Sequence, residues 1–324
     1  MVLSIILIVV FIFMWIMSPG QFVKIGNIQS MAFQLPELGV LSLGMMVTLL
    51  TGGVNLAIIA TSNLTGVVTV TLMNEFLGDA ESDAISSFEV LLSIIAGFAA
   101  SLGVGLVIGL LVSNVGVSPI LASLGLMTFI DGVNIVLTKG YTISGVPKSF
   151  IFLGNELILG IPIPIIVFAL CAALMAIVLN KTALGYSIYM VGSNEIATMF
   201  SGINNKAVLI RVYLISSFMA SIANVIMMGR FNSVKANYGS SYLLVTILAS
   251  VLGGTSAYGG FGKVLGLILS LIILQIIASG LNLMLVDPFL TTAMWGAIML
   301  LAMVANYISA HYRSQKQILK RQEG

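Results

Sequence analysis

The chain has 324 residues, 59% of them apolar and only 7% charged, where soluble domains carry roughly 25% charged residues. Its 13 basic and 11 acidic side chains cannot cover a soluble surface of this size, and the mean hydropathy is +1.15. This excludes an ordinary soluble enzyme, a disordered tail protein, a nucleic-acid binder and an outer-membrane barrel, whose strands alternate in hydropathy. What remains is an all-α polytopic membrane protein.

At about 20 apolar residues per crossing, this length holds roughly eight to eleven spans. The first run, Val2 to Met17, has no basic start and no small-residue cleavage site, and Ser18-Pro19-Gly20 breaks it. It reads as a retained helix, not a removed leader. Further runs cover Ile28–Leu50, Leu56–Met73, Phe88–Val112, Ile120–Thr138, Leu157–Leu179, Ala207–Gly229, Tyr242–Leu252, Val264–Leu285 and Phe289–Ile308, which makes ten in all. The run from Tyr242 is short for a full crossing, and Gly253-Gly254 ends it. In lipid the backbone groups freed at such a break need partners from protein or water.

With ten spans and both ends on one side, that side holds Lys181, Lys206, Arg211, Lys263, Arg313, Lys316, Lys320 and Arg321. The other holds Lys24, Lys139, Lys148, Arg230 and Lys235, with Glu75, Asp79, Glu81, Asp83, Glu89, Glu156 and Asp287. The basic C-terminal cluster in AHYRSQKQILKRQEG marks its side as cytoplasmic. The expected organisation is one permease-like membrane domain over 1–309, with a cytoplasmic loop over 180–206, and a cytoplasmic basic tail over 310–324.

Small residues recur every four positions at Gly97, Ser101, Gly105 and Gly109, and again at Gly262, Gly266 and Ser270. Such ladders let a neighbouring helix backbone approach closely. They serve either packing within the chain or a subunit interface. Cys171 is the only cysteine and sits in an apolar run, as a small buried hydrophobe does. The only histidine is His311, so neither a thiolate metal site nor a histidine-based triad can form.

AYGGFGKV, Ala257 to Val264, has the outline of a phosphate loop but lacks its chemistry. Ala257 replaces the first glycine, and Val264 the magnesium-binding hydroxyl. Gly259 and Gly260 then mark a tight turn between helices. Two carboxylates fall well inside spans, Glu37 after Pro36 and Asp131 before Gly132. Each costs about 2.5 to 3.5 kcal/mol at mid-helix on insertion scales. Glu37 serves a pathway or packing role, or snorkels to an interface; Asp131 serves a structural hydrogen bond. Together they would be the coupling acids of an ion-driven secondary carrier.

Uncharged polar residues point instead to a neutral polyhydroxylated solute. Asn55, Ser62, Asn63, Thr65 and Thr69 fall on one apolar helix directly after the break at Gly52-Gly53. Broken helices lining a cavity recur in transporters. Gln275 and Asn282, seven residues apart, share a face of a later helix. Asn55, Ser62, Asn63, Gln275 and Asn282 are therefore the candidate solute path, with interhelical hydrogen bonding as the alternative.

The loop Asn180–Lys206 carries a short amphipathic helix over Ser193–Gly202. Ser193, Asn194 and Glu195 cap it, and Ile196, Met199 and Phe200 form its apolar edge. It docks on a partner or rests on the membrane surface. Here GSNEIATMFSGI, with its lead-in KTALGYSIYMVG, resembles the coupling segment of ribose-type ABC importer permeases. SVLGGTSAYGGFGKVLGLIL, SGLNLM, LLTGGVNLAII and SPILASLGLMTF resemble other segments of that family, in consistent order over about 28–308.

The resemblance implies the membrane subunit of an ATP-driven importer of a monosaccharide or similar small polar solute, in a bacterial cytoplasmic membrane. It implies a second permease copy or paralogue, a cytoplasmic ABC ATPase holding the ATP and magnesium, and an extracytoplasmic solute-binding protein. This chain would bind no cofactor and hydrolyse nothing. Gly192, Ser193, Asn194, Glu195, Ile196, Met199, Phe200, Ser201 and Gly202 would engage the ATPase. A permease for nucleosides or branched-chain amino acids stays open beside the sugar reading.

Overall fold

The computed structural model describes residues 2–77, 87–158, 160–287, 289–301 and 304. The basic tail, His311 and the acidic residues Asp79, Glu81 and Asp83 lie outside them. Among the described residues there are thirteen α-helices: α1 (Val2–Met17), α2 (Ile25–Leu50), α3 (Ile58–Leu77), α4 (Ser87–Leu110), α5 (Pro119–Thr138), α6 (Lys148–Asn155), α7 (Ile163–Lys181), α8 (Ala183–Ser193), α9 (Glu195–Phe200), α10 (Asn205–Phe231), α11 (Tyr242–Leu252), α12 (Val264–Leu283) and α13 (Phe289–Leu301). Six of the described helices are long and apolar enough to cross a membrane. The protein is an all-α polytopic membrane protein.

Every apolar run contributes a helix, but the count of ten is corrected in both directions. α1, α11 and α13 are shorter apolar helices, α3 is long enough but too polar to count among the six, and α6, α8 and α9 are additional. The run from Leu157 does not start as a helix. Leu157–Ile158 (β2) pairs antiparallel with Ile161–Pro162 (β3), and α7 begins only at Ile163. Gly160, at φ +81°, lies between these two short strands. The reason is local: Pro162 lacks an amide donor, and the residue before a proline disfavours helical backbone.

α2 forms the centre. From Leu35 to Leu50 all its residues are buried, and α7, α10, α11 and α12 surround it. α3 is wedged between α4, α5 and α10. The first small-residue ladder serves this packing within the chain. A methyl group on Gly97 would strike the carbonyl of Thr65 at 2.6 Å, and one on Gly109 the Cα of Ile210 at 2.9 Å. Ser101 donates to the carbonyl of Ser217 at 2.9 Å. In the later ladder, Gly266 lies against the carbonyl of Gly253, and Ser270 donates to that of Ala249. Cys171 is buried in α7, as expected.

The two ends of the bundle differ. At one end, Ile143–Ser144 (β1) pairs with Ser233–Val234 (β4), tying the α5–α6 connection to the end of α10. At the other end the α2–α3 break, α8–α9 and the turn before α12 meet.

Candidate functional site

That second end is built from glycines. α2 stops at Leu50, and Gly52, at φ +78°, turns the chain as the sequence anticipates. The turn before α12 uses Gly254, Gly259 and Gly260, all at positive φ. The amide of Gly260 donates to the carbonyl of Leu50 at 2.9 Å. Gly192 faces the same carbonyl so closely that no side chain fits, and a Cβ on Gly259 would lie 2.8 Å from the carbonyl of Gly192. Gly53 packs on the hydroxyl of Tyr213, and Gly253 on the backbone of Leu267. Tyr189 donates across the junction to the carbonyl of Gly262 at 2.9 Å. Backbones of α2, α8 and the turn are thus in direct contact.

The junction presents α9. Asn194 alone caps it, its side chain accepting from the amide of Ala197 at 2.9 Å. Two expectations change here. Ser193 is the last residue of α8 rather than a cap, because the lead-in KTALGYSIYMVG folds into α8. Gly192 lies inside α8 and serves close approach, not chain reversal. Gly202, at φ +80°, does reverse the chain after Ser201. Glu195 opens α9, and its carbonyl accepts from Asn205 at 2.7 Å. Thr198 is buried, whereas Ile196, Met199 and Phe200 are 68%, 59% and 82% exposed. This six-residue element thus leaves its three largest apolar side chains uncovered by the rest of the chain.

The five candidate path residues fall into two groups. Asn55 lies in the break before α3, not on the helix. It accepts from the amide of Ala57 at 3.1 Å and donates to the Ser216 hydroxyl on α10 at 2.9 Å. Asn63 donates to the carbonyls of Ala236 and Tyr238 at 3.0 and 3.1 Å. Ser62 is buried with them. These groups tie the α2–α3 break to α10 and α3 to the turn that follows residues 233–234. They do not meet Gln275, because amides in apolar helices satisfy themselves on the nearest polar neighbour.

Gln275 and Asn282 do face one groove, between α2 and α12. Its outer cavity, of about 400 Å³, is lined by Lys24, Asn27, Ser30, Gln34, Ser279 and Asn282 among others. An inner cavity of about 140 Å³ follows, lined by Gln34, Leu38, Tyr242, Val245, Gln275 and Trp295 among others. Ser279 donates to Asn27 at 2.8 Å, and Gln275 to Gln34 at 3.2 Å. Asn27, Ser30 and Gln34 escaped the sequence reading, although their three- and four-residue spacing places them on one helical face.

Glu37 sits beside this groove and is wholly buried. It does not snorkel. Its Oε1 accepts from the Tyr242 hydroxyl at 2.6 Å and pairs with Arg230 at 3.0 Å. Arg230, expected in an outer segment, ends α10 and reaches back also to the carbonyl of Phe33 at 3.4 Å. Asp131 is remote from this pair, on α5, which packs on α3 and α4. The two membrane carboxylates therefore do not form one site.

The family described as branched-chain amino acid transport system / permease component matches residues 27–303. The chain is 30% identical to the ribose import permease protein RbsC of Bacillus subtilis over 291 residues, 89% of this chain and 87% of the relative. It is 30% identical to RbsC of Escherichia coli K12 over 294 residues, 90% and 88% of the two chains. Against the autoinducer 2 import system permease protein LsrD of Yersinia enterocolitica, identity is 27% over 281 residues, 85% and 81% of the two. No solved structure matches the chain.

Proposed function

This chain belongs to the family of branched-chain amino acid transport system permease components, and from that premise we propose that it is the membrane-spanning subunit of an ATP-binding-cassette importer for a monosaccharide or similar small neutral solute. The α2–α12 groove carries the reading. In a molecule this apolar, the uncharged Asn27, Ser30, Gln34, Gln275, Ser279 and Asn282 line two neighbouring cavities that share Gln34, with Lys24 the one charged side chain in their lining. Such groups exchange hydrogen bonds with hydroxyls at little cost, while a cation would lose hydration without a counter-charge. Glu37 offers none, because Arg230 already holds it. That pairing, and its separation from Asp131, favour the importer over an ion-coupled carrier. The relatives named for ribose and autoinducer 2 import favour a sugar-like solute over an amino acid or nucleoside.

Residues 1–309 form one permease domain in a bacterial cytoplasmic membrane, and 310–324 a cytoplasmic tail. Two such subunits, identical or paralogous, pair in the membrane. A cytoplasmic ABC ATPase holds the ATP and magnesium and grips α9. An extracytoplasmic solute-binding protein delivers solute to the end carrying β1 and β4. The chain itself binds no nucleotide: Val264 stands where a phosphate loop needs its hydroxyl.

Reconstitution tests this. With the co-expressed ATPase and binding protein, proteoliposomes take up labelled ribose only when ATP is supplied, and the purified chain alone hydrolyses none. Solute counterflow by this chain alone, lost on Glu37→Gln, would replace the importer with a secondary carrier.

A further inference from the structure

Gln34 lines both cavities of the groove, the larger outer one and the smaller inner one. The two cavities follow each other along the same pair of helices. The outer spans Gly26 to Gln34 on α2 and Ser279 to Leu283 on α12; the inner spans Gln34 to Leu38 and Leu274 to Ala278. Gln275 reaches across from α12 to Gln34 at 3.2 Å, where the cavities meet. Gln275 is buried, at 7% exposure, whereas Gln34 is exposed.

We propose that the Gln34–Gln275 amide bridge is the selectivity constriction of the solute path, the point at which the outer cavity is closed off from the inner one. This rests on the permease reading above.

The chemistry suits the task. Each primary amide offers two donors and an acceptor with two lone pairs. When a polyhydroxylated solute arrives, its hydroxyls replace the amide–amide hydrogen bond like for like. Opening the bridge then costs little for such a solute and leaves polar groups unpaired for an apolar one. The surroundings hold the pair in place. Leu274 and Trp295 pack beside it in the inner cavity, and Tyr242, fixed by its bond to Glu37, forms another wall. The Glu37–Arg230 pair keeps net charge away from the constriction, so dipoles set the local field.

The test is access to the inner cavity, read without transport. In nanodiscs, on a Cys171→Ala background, a charged methanethiosulfonate reagent probes Ser30→Cys in the outer cavity and, in separate variants, Leu38→Cys and Val245→Cys in the inner one. Ser30→Cys reacts whether or not the bridge is intact. The inner cysteines react slowly with it intact and about tenfold faster with Gln275→Ala or Gln34→Ala. Tenfold corresponds to about 1.4 kcal/mol, the size of one lost hydrogen bond. Equal rates at both inner positions with and without the bridge overturn the proposal. Ribose uptake by the complete importer separates this from the reading beneath it. A wild-type importer that takes up no ribose, with the labelling contrast preserved, overturns the sugar reading and leaves the constriction standing. Normal uptake with no labelling contrast does the reverse.

Discussion

At the residue scale, the buried pair of Glu37 and Arg230 decides how a membrane carboxylate is tolerated. Glu37 is fully enclosed on α2, one residue after Pro36, and Arg230 reaches it from the end of α10. Removing one partner of such a pair strands the other, which costs about 3–5 kcal/mol. Arg230→Ala should therefore lower the melting temperature of the detergent-purified protein sharply. Glu37→Gln, which keeps an acceptor for Tyr242, should lower it less. If Arg230→Ala melts like the wild type, the pair contributes nothing to the fold. Gly192 makes a second residue-scale case. A methyl group there strikes the carbonyl of Leu50 and comes within 2.5 Å of the amide of Gly260, and backbone cannot swing aside as a side chain can. Gly192→Ala should split the junction, so that the protein still inserts but no longer retains the ATPase on co-purification. Retention equal to wild type would mean that the junction relaxes at no cost.

The elements show what could be read in advance and what could not. Apolar runs fixed where each membrane helix lies, because burying backbone in lipid leaves little choice but helix. The glycine breaks after α2 and α11 were equally legible, since positive φ is cheap only for glycine. Partner choice was not. Asn55 and Gln275 look alike in the sequence, yet one bonds to Ser216 and the other to Gln34. Only the packing of α3 on α10 and of α2 on α12 separates them. Arg230 was hidden for a related reason. A cation near a span end reads as a loop residue, and its reach back to Glu37 depends on how α10 lies against α2. The lead-in to α9 reads as loop in the sequence because its polar residues mask an apolar face, on which Ile188 and Val191 are buried.

α9 carries the element-scale prediction. With Phe200 82% exposed at the end of a capped six-residue helix, the proposed importer uses its ring as the anchor in a groove on the ATPase. Such an anchor is worth about 2 kcal/mol at an interface, or roughly thirtyfold in affinity at tenfold per 1.4 kcal/mol. Phe200→Ala should release the ATPase or uncouple its hydrolysis from uptake, with the permease still folded. Full retention and normal uptake for the Met199→Ser/Phe200→Ser double variant would mean that α9 rests on lipid instead.

At the scale of the whole molecule, sidedness decides whether these parts can work together. In the proposed importer, the end with β1 and β4 faces the binding protein and the glycine junction with α9 faces the ATPase. Arg230 no longer counts towards the balance of basic residues, because it is held by Glu37. Lys24, Lys139, Lys148 and Lys235 at one end then match Lys181, Lys206, Arg211 and Lys263 at the other. The positive-inside bias therefore rests on Arg313, Lys316, Lys320 and Arg321, close behind α13 and within the reach over which such charges act. The prediction is concrete. On a Cys171→Ala background in intact cells, Ser144→Cys on β1 should react with an impermeant maleimide from outside. Met199→Cys on α9 should react only after the membrane is opened. Removing residues 310–324 should blur that difference by yielding some inverted molecules, because the remaining basic residues are evenly divided. Labelling of Met199→Cys in sealed cells, with Ser144→Cys protected, would place α9 outside. It would then have no route to ATP, and the coupling role assigned to it would fall.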